Sequence, residues 1–195
     1  RSLLSTRFAC LKDWSVILTD NAANVVKVLM LPYIPAQFLI NRSQCSSSIF
    51  INDSRPRSDI SLWLREDLVS GDLSLPLFDL DRFLSACFHV KSPGAAHLAL
   101  TRTWDSVAPD VQVRFLERGL EDGSPLAFRV SSGTVMADMT AEEFSLSPAV
   151  VQAHLCRKGI TALALPHEEG MRYLIDLDIL LADCLLGGCD EYSAG

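Results

Sequence analysis

The chain contains two copies of one short pattern, and this internal repeat constrains its fold more than any other feature. The segment LFDLDRFLSACF at residues 77–88 aligns with LIDLDILLADCL at residues 174–185, and three leucines, two aspartates and one cysteine coincide. A repeated pattern is the sequence signature of duplicated structural units. We therefore expect the chain to consist of two related modules.

Weaker matches precede these segments in the same order. LSLP at residues 73–76 matches LALP at 163–166, and PAQFLIN at 35–41 matches PLAFRVS at 125–131. The offset is 90 residues in both pairs, whereas it is 97 residues for the two DLD motifs. The alignment therefore predicts seven extra residues in the second copy, just before its DLD.

Each copy is predicted to begin with a β-hairpin. VVKVLML (25–31) and DVQVRFL (110–116) are rich in β-branched and apolar residues, which is typical of first strands. The PAQFLIN and PLAFRVS segments follow as second strands.

Helices are predicted over residues 58–71 and 147–159, because each range has a serine at its start and a glycine at its end. Val151 and Leu155 of the second helix lie four residues apart, so we expect both on its buried face. Strands at 72–78 and 160–166 come next, and MRYLID is expected to form one more strand in the second copy.

The paired aspartates Asp79/Asp81 and Asp176/Asp178 are interpreted as helix caps and turn formers and not as catalytic pairs. An aspartate at the start of a helix accepts backbone N–H bonds and suits the positive end of the helix dipole. The same pair recurs in both copies while its surroundings vary, which favours a structural role.

The order of hairpin, helix, strands and short helix is typical of an α+β, ubiquitin-like β-grasp. We expect two tandem β-grasp modules, at residues 20–104 and 108–195, each a mixed sheet packed on one helix. Residues 1–14 are predicted to be the tail of a preceding module or an N-terminal extension. Since the sequence begins at Arg1, we also expect a processed product or a part of a longer protein.

The second copy resembles a doublecortin domain. The resemblance rests on VRFLERG (113–119), on GMRYLIDLD (170–178), and on LADCLLGGCDEYSAG (181–195) with its leucines, paired glycines and final glycine. The PLAFRVSSG segment and the acidic turn after LALP are similar to a CIDE-N domain, another β-grasp family. Both resemblances imply a β-grasp fold and a non-enzymatic role.

The doublecortin resemblance implies binding to microtubules, in a cytoplasmic cytoskeletal or ciliary assembly. Tubulin is acidic, so this binding requires a basic face. Residues 1–104 sum to a charge of +2 and residues 105–195 to −9, which places the basic candidates in the first half. The candidate partner-binding residues are Lys27, Arg42, Arg55 and Arg57.

Two other functions stay open. The chain is alternatively predicted to be a β-grasp adaptor or a subunit of a larger complex, which uses exposed sheet edges or head-to-tail charge contacts to bind proteins. The third candidate is a metal-dependent hydrolase, for which Asp110 and Glu117 are the acidic pair; such a site needs a lysine where Arg118 stands. The CFH (87–89) and HLC (154–156) segments fit no common zinc-finger spacing.

The composition argues against further classes of protein. The acidic second half should repel nucleic acid, and no apolar run approaches the roughly 20 residues of a membrane-spanning helix. The six cysteines show no CxxC spacing, which favours a reduced intracellular protein. We expect neither a catalytic residue nor a metal or cofactor, and no enzymatic activity.

Overall fold

The computed structural model describes residues 25–57, 63–103, 107, 109–117, 125–145, 149–167 and 170–185. These residues form twelve β-strands, four α-helices and two short 3-10 helices, at Arg42–Gln44 and Ala141–Glu143. The strands are β1 (Val25–Leu31), β2 (Ala36–Asn41), β3 (Ser47–Phe50), β4 (Asp53–Pro56), β5 (Glu66–Ser70), β6 (Leu73–Phe78), β7 (Leu98–Arg102), β8 (Leu126–Val130), β9 (Val135–Thr140), β10 (Phe144–Ser145), β11 (Ile160–His167) and β12 (Gly170–Ile175). The helices are α1 (Leu80–Phe88), α2 (Pro109–Glu117), α3 (Ala149–Arg157) and α4 (Leu177–Leu185).

The strands form two six-stranded sheets. Sheet I has the order β10-β11-β12-β2-β1-β9, and sheet II has the order β3-β7-β8-β6-β5-β4. One neighbouring pair in each sheet is parallel, β12 with β2 and β6 with β8, and the other pairs are antiparallel.

The two halves of the chain, β1 to β6 and β7 to β12, have the same order of pairings but exchange their first two strands. Sheet I contains β9 to β12 together with β1 and β2, whereas sheet II contains β3 to β6 together with β7 and β8. In each sheet the parallel pair joins the last strand of one half to the second strand of the other. Both sheets therefore mix strands from the two predicted modules, at 20–104 and 108–195.

The predicted α+β fold of two β-grasp modules is wrong. The molecule is mostly β, and its two curled sheets, each built from both halves, are not a β-grasp with one helix packed on each sheet. The predicted N-terminal extension, residues 1–14, lies outside the described residues.

Two local predictions contributed to this error. The predicted helix at 58–71 contains strand β5, and Gly71, with φ of +62°, makes the turn from β5 to β6. The predicted strand DVQVRFL is helix α2, in which Val111 and Phe115 are buried. Val111, Val113 and Phe115 alternate as in a strand, yet the four-residue spacing of the buried pair is that of a helix.

Other predicted elements are confirmed. The first strand is β1, the second strands are β2 and β8, and the later strands are β6, β11 and β12. The second predicted helix is α3, although Ser147 lies outside the described residues. The prediction for its buried face is wrong for Val151, which is 42% exposed, whereas Leu155 packs against the core.

Three apolar clusters hold the sheets together. One cluster lies against sheet I, and it includes Val28, Leu39 and Met139. A second lies in sheet II around Leu68 and Ala127. The largest cluster contains residues of both sheets and of α1, α2 and α4, so the two halves share one main core.

The interpretation of the first aspartate of each DLD as a helix cap is confirmed. The Asp79 carboxylate accepts a bond from the Arg82 backbone N–H at 3.0 Å. The Asp176 carboxylate accepts bonds from the N–H groups of Asp178 and Ile179, at 2.8 and 3.1 Å. Each aspartate thus satisfies backbone donors that have no partner within the helix.

Candidate interaction surface

The sheets end in four edge strands within the described residues, and three of them are short or guarded. β10 has only two residues. β4 carries Asp53, Arg55 and Pro56, and charges and proline on an edge discourage pairing with another chain. β3 has four residues, of which Phe50 is 67% exposed.

The fourth edge strand, β9, is longer than the other three and carries one charged residue, Asp138. Its six residues, VMADMT, contain no lysine, arginine or proline, and it pairs with β1 on one side along its whole length. Met139 packs in the core, while Val135 and Met136 are 48% and 63% exposed. The outer row of N–H and C=O groups faces no other strand in the part of the chain that the structure describes. Such an edge is suited to accept an added strand.

The sequence analysis missed β9. The signal that could have found it is the alternation of Val135, Ala137 and Met139 directly after the turn residue Gly133.

A polar groove of about 600 Å³ lies at the start of α1. Arg129 lines it and forms ion pairs with Asp79, at 3.3 Å, and with Glu66. Arg82 lies 6.0 Å from the ring centroid of the buried Trp63. Because Asp79 and Arg129 already bind each other, they join α1 to strand β8 and the groove has a structural role.

The second aspartate of each DLD joins the two sheets. Asp81 of α1, after sheet II, accepts a hydrogen bond of 2.6 Å from the Tyr33 hydroxyl, which follows β1 of sheet I. Asp178 of α4, after sheet I, forms a 2.9 Å ion pair with Arg102 at the end of β7 in sheet II. The duplicated motif therefore makes equivalent contacts between the sheets.

Burial shifts the pKa of several of these groups. Loss of water around Asp79 raises the pKa of its carboxyl above the ordinary value of 3.8, although the Arg82 N–H and the Arg129 guanidinium both oppose the shift. The pKa of Tyr33 is raised by burial and by its bond to Asp81. Burial also raises the pKa of the Cys45 thiol to about 11, so this cysteine is a poor nucleophile.

The raised pKa of Asp79 predicts a specific pH dependence of stability. The folded chain binds the Asp79 proton more tightly than the unfolded chain, so acid should stabilise the wild type relative to Asp79→Asn. The advantage should be complete below the unfolded pKa near 3.8 and lost as the pH rises through the higher folded value. Urea unfolding between about pH 4 and pH 7 measures it, with Asp53→Asn in the same groove as the matched control. A difference that grows with rising pH would contradict this result.

The four basic candidates do not lie together: Lys27 and Arg55 are on strands of different sheets, Arg42 begins a 3-10 helix, and Arg57 follows β4. Lys27 is exposed on β1 opposite Asp138 of β9, whereas Arg55 is exposed on β4. Arg42 donates to the Cys45 carbonyl, and Arg57 forms a 2.6 Å ion pair with Asp67. Two of the four thus have internal partners, and the partner-binding role of the set stays a prediction.

The chemistry considered for a hydrolase has no matching arrangement in the described residues. They contain no group of three or more His, Cys, Asp or Glu side chains that could hold a metal ion. Asp110 and Glu117 lie at opposite ends of α2. Cys45 and Cys87 are buried, and Cys156 is half-buried. No helix in this part of the chain is long and apolar enough to span a membrane.

The sequence has no match among protein-family models or curated proteins. Among solved structures, the fold is similar to that of the scaffolding protein TtCheW from Thermoanaerobacter tengcongensis. The TM-score is 0.54, and the match covers 80% of this chain and 91% of that chain at 9% sequence identity. The two chains thus share a fold of two curled sheets.

This likeness corrects the doublecortin interpretation of the fold. A β-grasp is excluded, and neither a microtubule function nor a cytoskeletal or ciliary location is supported. The neighbour does not bear on the sequence resemblance to doublecortin or CIDE-N domains, which stays a prediction.

Proposed function

We propose that this chain is a non-enzymatic scaffold that binds other proteins as part of a larger assembly. The observation that carries the proposal is the edge of β9, where Val135 and Met136 are exposed beside a row of backbone groups that faces no other strand among the described residues. The fold shared with a scaffolding protein supports the same class of function.

The β9 edge favours one mode of binding, the addition of an extended partner segment as a seventh strand of sheet I. Backbone hydrogen bonds to β9 would supply affinity. Met136, Asp138 and Thr140 share the outward face of β9, so they would select the partner side chains. Lys27, opposite Asp138 on the neighbouring strand, is the basic candidate placed closest to an added strand.

Selection from a displayed library of random peptides against the whole chain tests this function. Peptides selected on the wild type should bind Met136→Lys at least about tenfold more weakly, since a lysine on an edge opposes strand addition. The matched control is Ser145→Lys, because Ser145 is exposed on β10 at the other edge of sheet I. Bound peptide should also slow hydrogen exchange in β9. Peptides that bind Met136→Lys and the wild type equally well would overturn the proposal.

A further inference from the structure

An apolar groove of about 300 Å³ lies beyond the end of β1. Three prolines and the exposed Ile34 form most of its wall, and Ile34 is 63% exposed. This volume is at the lower end of the range for ligand pockets and suits one or two side chains. The lining residues are Pro32, Tyr33, Ile34, Pro35, Gln37 and Pro93.

The groove lies near the Val135 end of β9. Val135, the first residue of β9, pairs with Met30 of β1, and the chain reaches Pro32 two residues later. Gly133, just before β9, lies so close to this wall that a Cβ would be 3.1 Å from the Pro32 side chain. A segment paired with β9 would therefore reach the groove at the Val135 end.

Two basic residues, Lys91 and Arg172, contact residues that line the groove. Ile34 and Lys91 are opposite each other in an antiparallel bridge, with N–H···O bonds of 3.0 and 2.9 Å in the two directions. Residues directly opposite in such a bridge point their side chains to the same face. Arg172 donates to the Gln37 side chain at 2.8 Å, and none of the lining residues is acidic.

We propose that this groove binds an apolar side chain of the partner segment that pairs with β9, and that an acidic residue next to it binds Lys91. The proposal rests on the proposed function and specifies its partner. The occupant is an extended peptide with an apolar anchor beside a carboxylate. Charge complementarity with Lys91 and Arg172 favours this chemistry over a neutral or basic segment.

The same peptide selection tests the groove when it is repeated with Ile34→Glu and Lys91→Glu. Both residues are exposed, so neither change should prevent folding. Wild-type selections should be enriched in peptides with an apolar residue followed by Asp or Glu. These peptides should bind either variant about tenfold more weakly, and Lys91→Glu should instead select Lys or Arg at that position. Arg157→Glu, an exposed charge reversal on α3, is the control and should bind like the wild type.

The outcomes separate this inference from the proposed function. Peptides that need Met136 but bind Ile34→Glu and Lys91→Glu at full strength would overturn the groove and leave the scaffold function standing. Peptides that bind all of these variants equally would overturn both. Loss of the acidic preference in Lys91→Glu alone would confirm the charge recognition directly.

Discussion

Replacing Asp178 with alanine is expected to destabilise the folded chain by about 3 kcal/mol. The carboxylate is the ion-pair partner of Arg102, whose side chain is only 1% exposed. Without it the buried guanidinium loses its ion pair with this carboxylate, and its burial keeps water from replacing the lost interaction. The loss should appear as a lower midpoint in urea unfolding with little change in slope.

Replacing Arg102 instead of Asp178 should lower the free energy of unfolding by less, because the Asp178 side chain is more exposed than that of Arg102. Arg102→Met leaves the Asp178 carboxylate, whose side chain is 25% exposed and partly hydrated, so we expect a loss of about 1 kcal/mol. The double variant, with both Arg102→Met and Asp178→Ala, lacks the buried guanidinium as well as its carboxylate partner. Its stability should therefore exceed that of Asp178→Ala. Strictly additive losses would show that the pair is not coupled.

Gly159→Ala is expected to destabilise the chain by about 3 kcal/mol, since two costs combine. Gly159 has φ of +74°, which side chains rarely adopt. A Cβ there would also lie 2.8 Å from the Leu180 Cβ and 3.2 Å from the Asp176 carbonyl oxygen. The substitution must therefore push α4 away from the α3–β11 turn.

Gly71→Ala is the matched control for this prediction. Gly71 has a similar φ of +62°, but a Cβ there meets nothing within 4 Å. Its cost should be the backbone cost alone, about 1 kcal/mol. Thermal unfolding of both variants gives the difference, and equal losses would show that contact with α4 contributes nothing.

The helix caps and many of the strands could be predicted from sequence because their causes are local. Asp79 and Asp176 follow apolar strands and precede periodic apolar residues, which is a start signal for a helix. β1 and β2 are mostly apolar runs, and Pro32 and Pro35 separate them. Local composition gave the wrong prediction for DVQVRFL, because its apolar pattern is compatible with both a strand and a helix. Packing against the core decides in favour of the helix.

The sheet topology could not be predicted, because it depends on pairings between distant residues. Tyr173 pairs with Phe38 and Phe78 pairs with Phe128, each in a parallel register between the two halves. The sequence alignment equated Phe38 with Phe128. Tyr173, the partner of Phe38, lies three residues before the capping Asp176, whereas Phe78, the partner of Phe128, lies one residue before the capping Asp79. The registers of the two parallel pairs, counted from the DLD motifs, therefore differ by two residues. A shift of two keeps the same face of the sheet, and the apolar pattern therefore concealed it.

The LSLP and LALP match was misleading for the same reason. Pro76 lies in β6, but Pro166 lies in β11, and these are not corresponding strands of the two halves. The strand that corresponds to β6 is β12, whose sequence GMRYLI shares little with LSLPLF. Similarity between short apolar segments is weak evidence that two strands correspond, because strands buried on both faces have similar apolar sequences.

The exchange of the first two strands between the halves has a consequence for the origin of this chain. A lone ancestral unit would have lacked the first two strands of its own sheet, because those strands complete the sheet of its sister. Two such units would complete both sheets by exchanging these strands in a swapped homodimer. Fusion of two gene copies would then have converted a concentration-dependent assembly into a single polypeptide, freeing each copy to diverge.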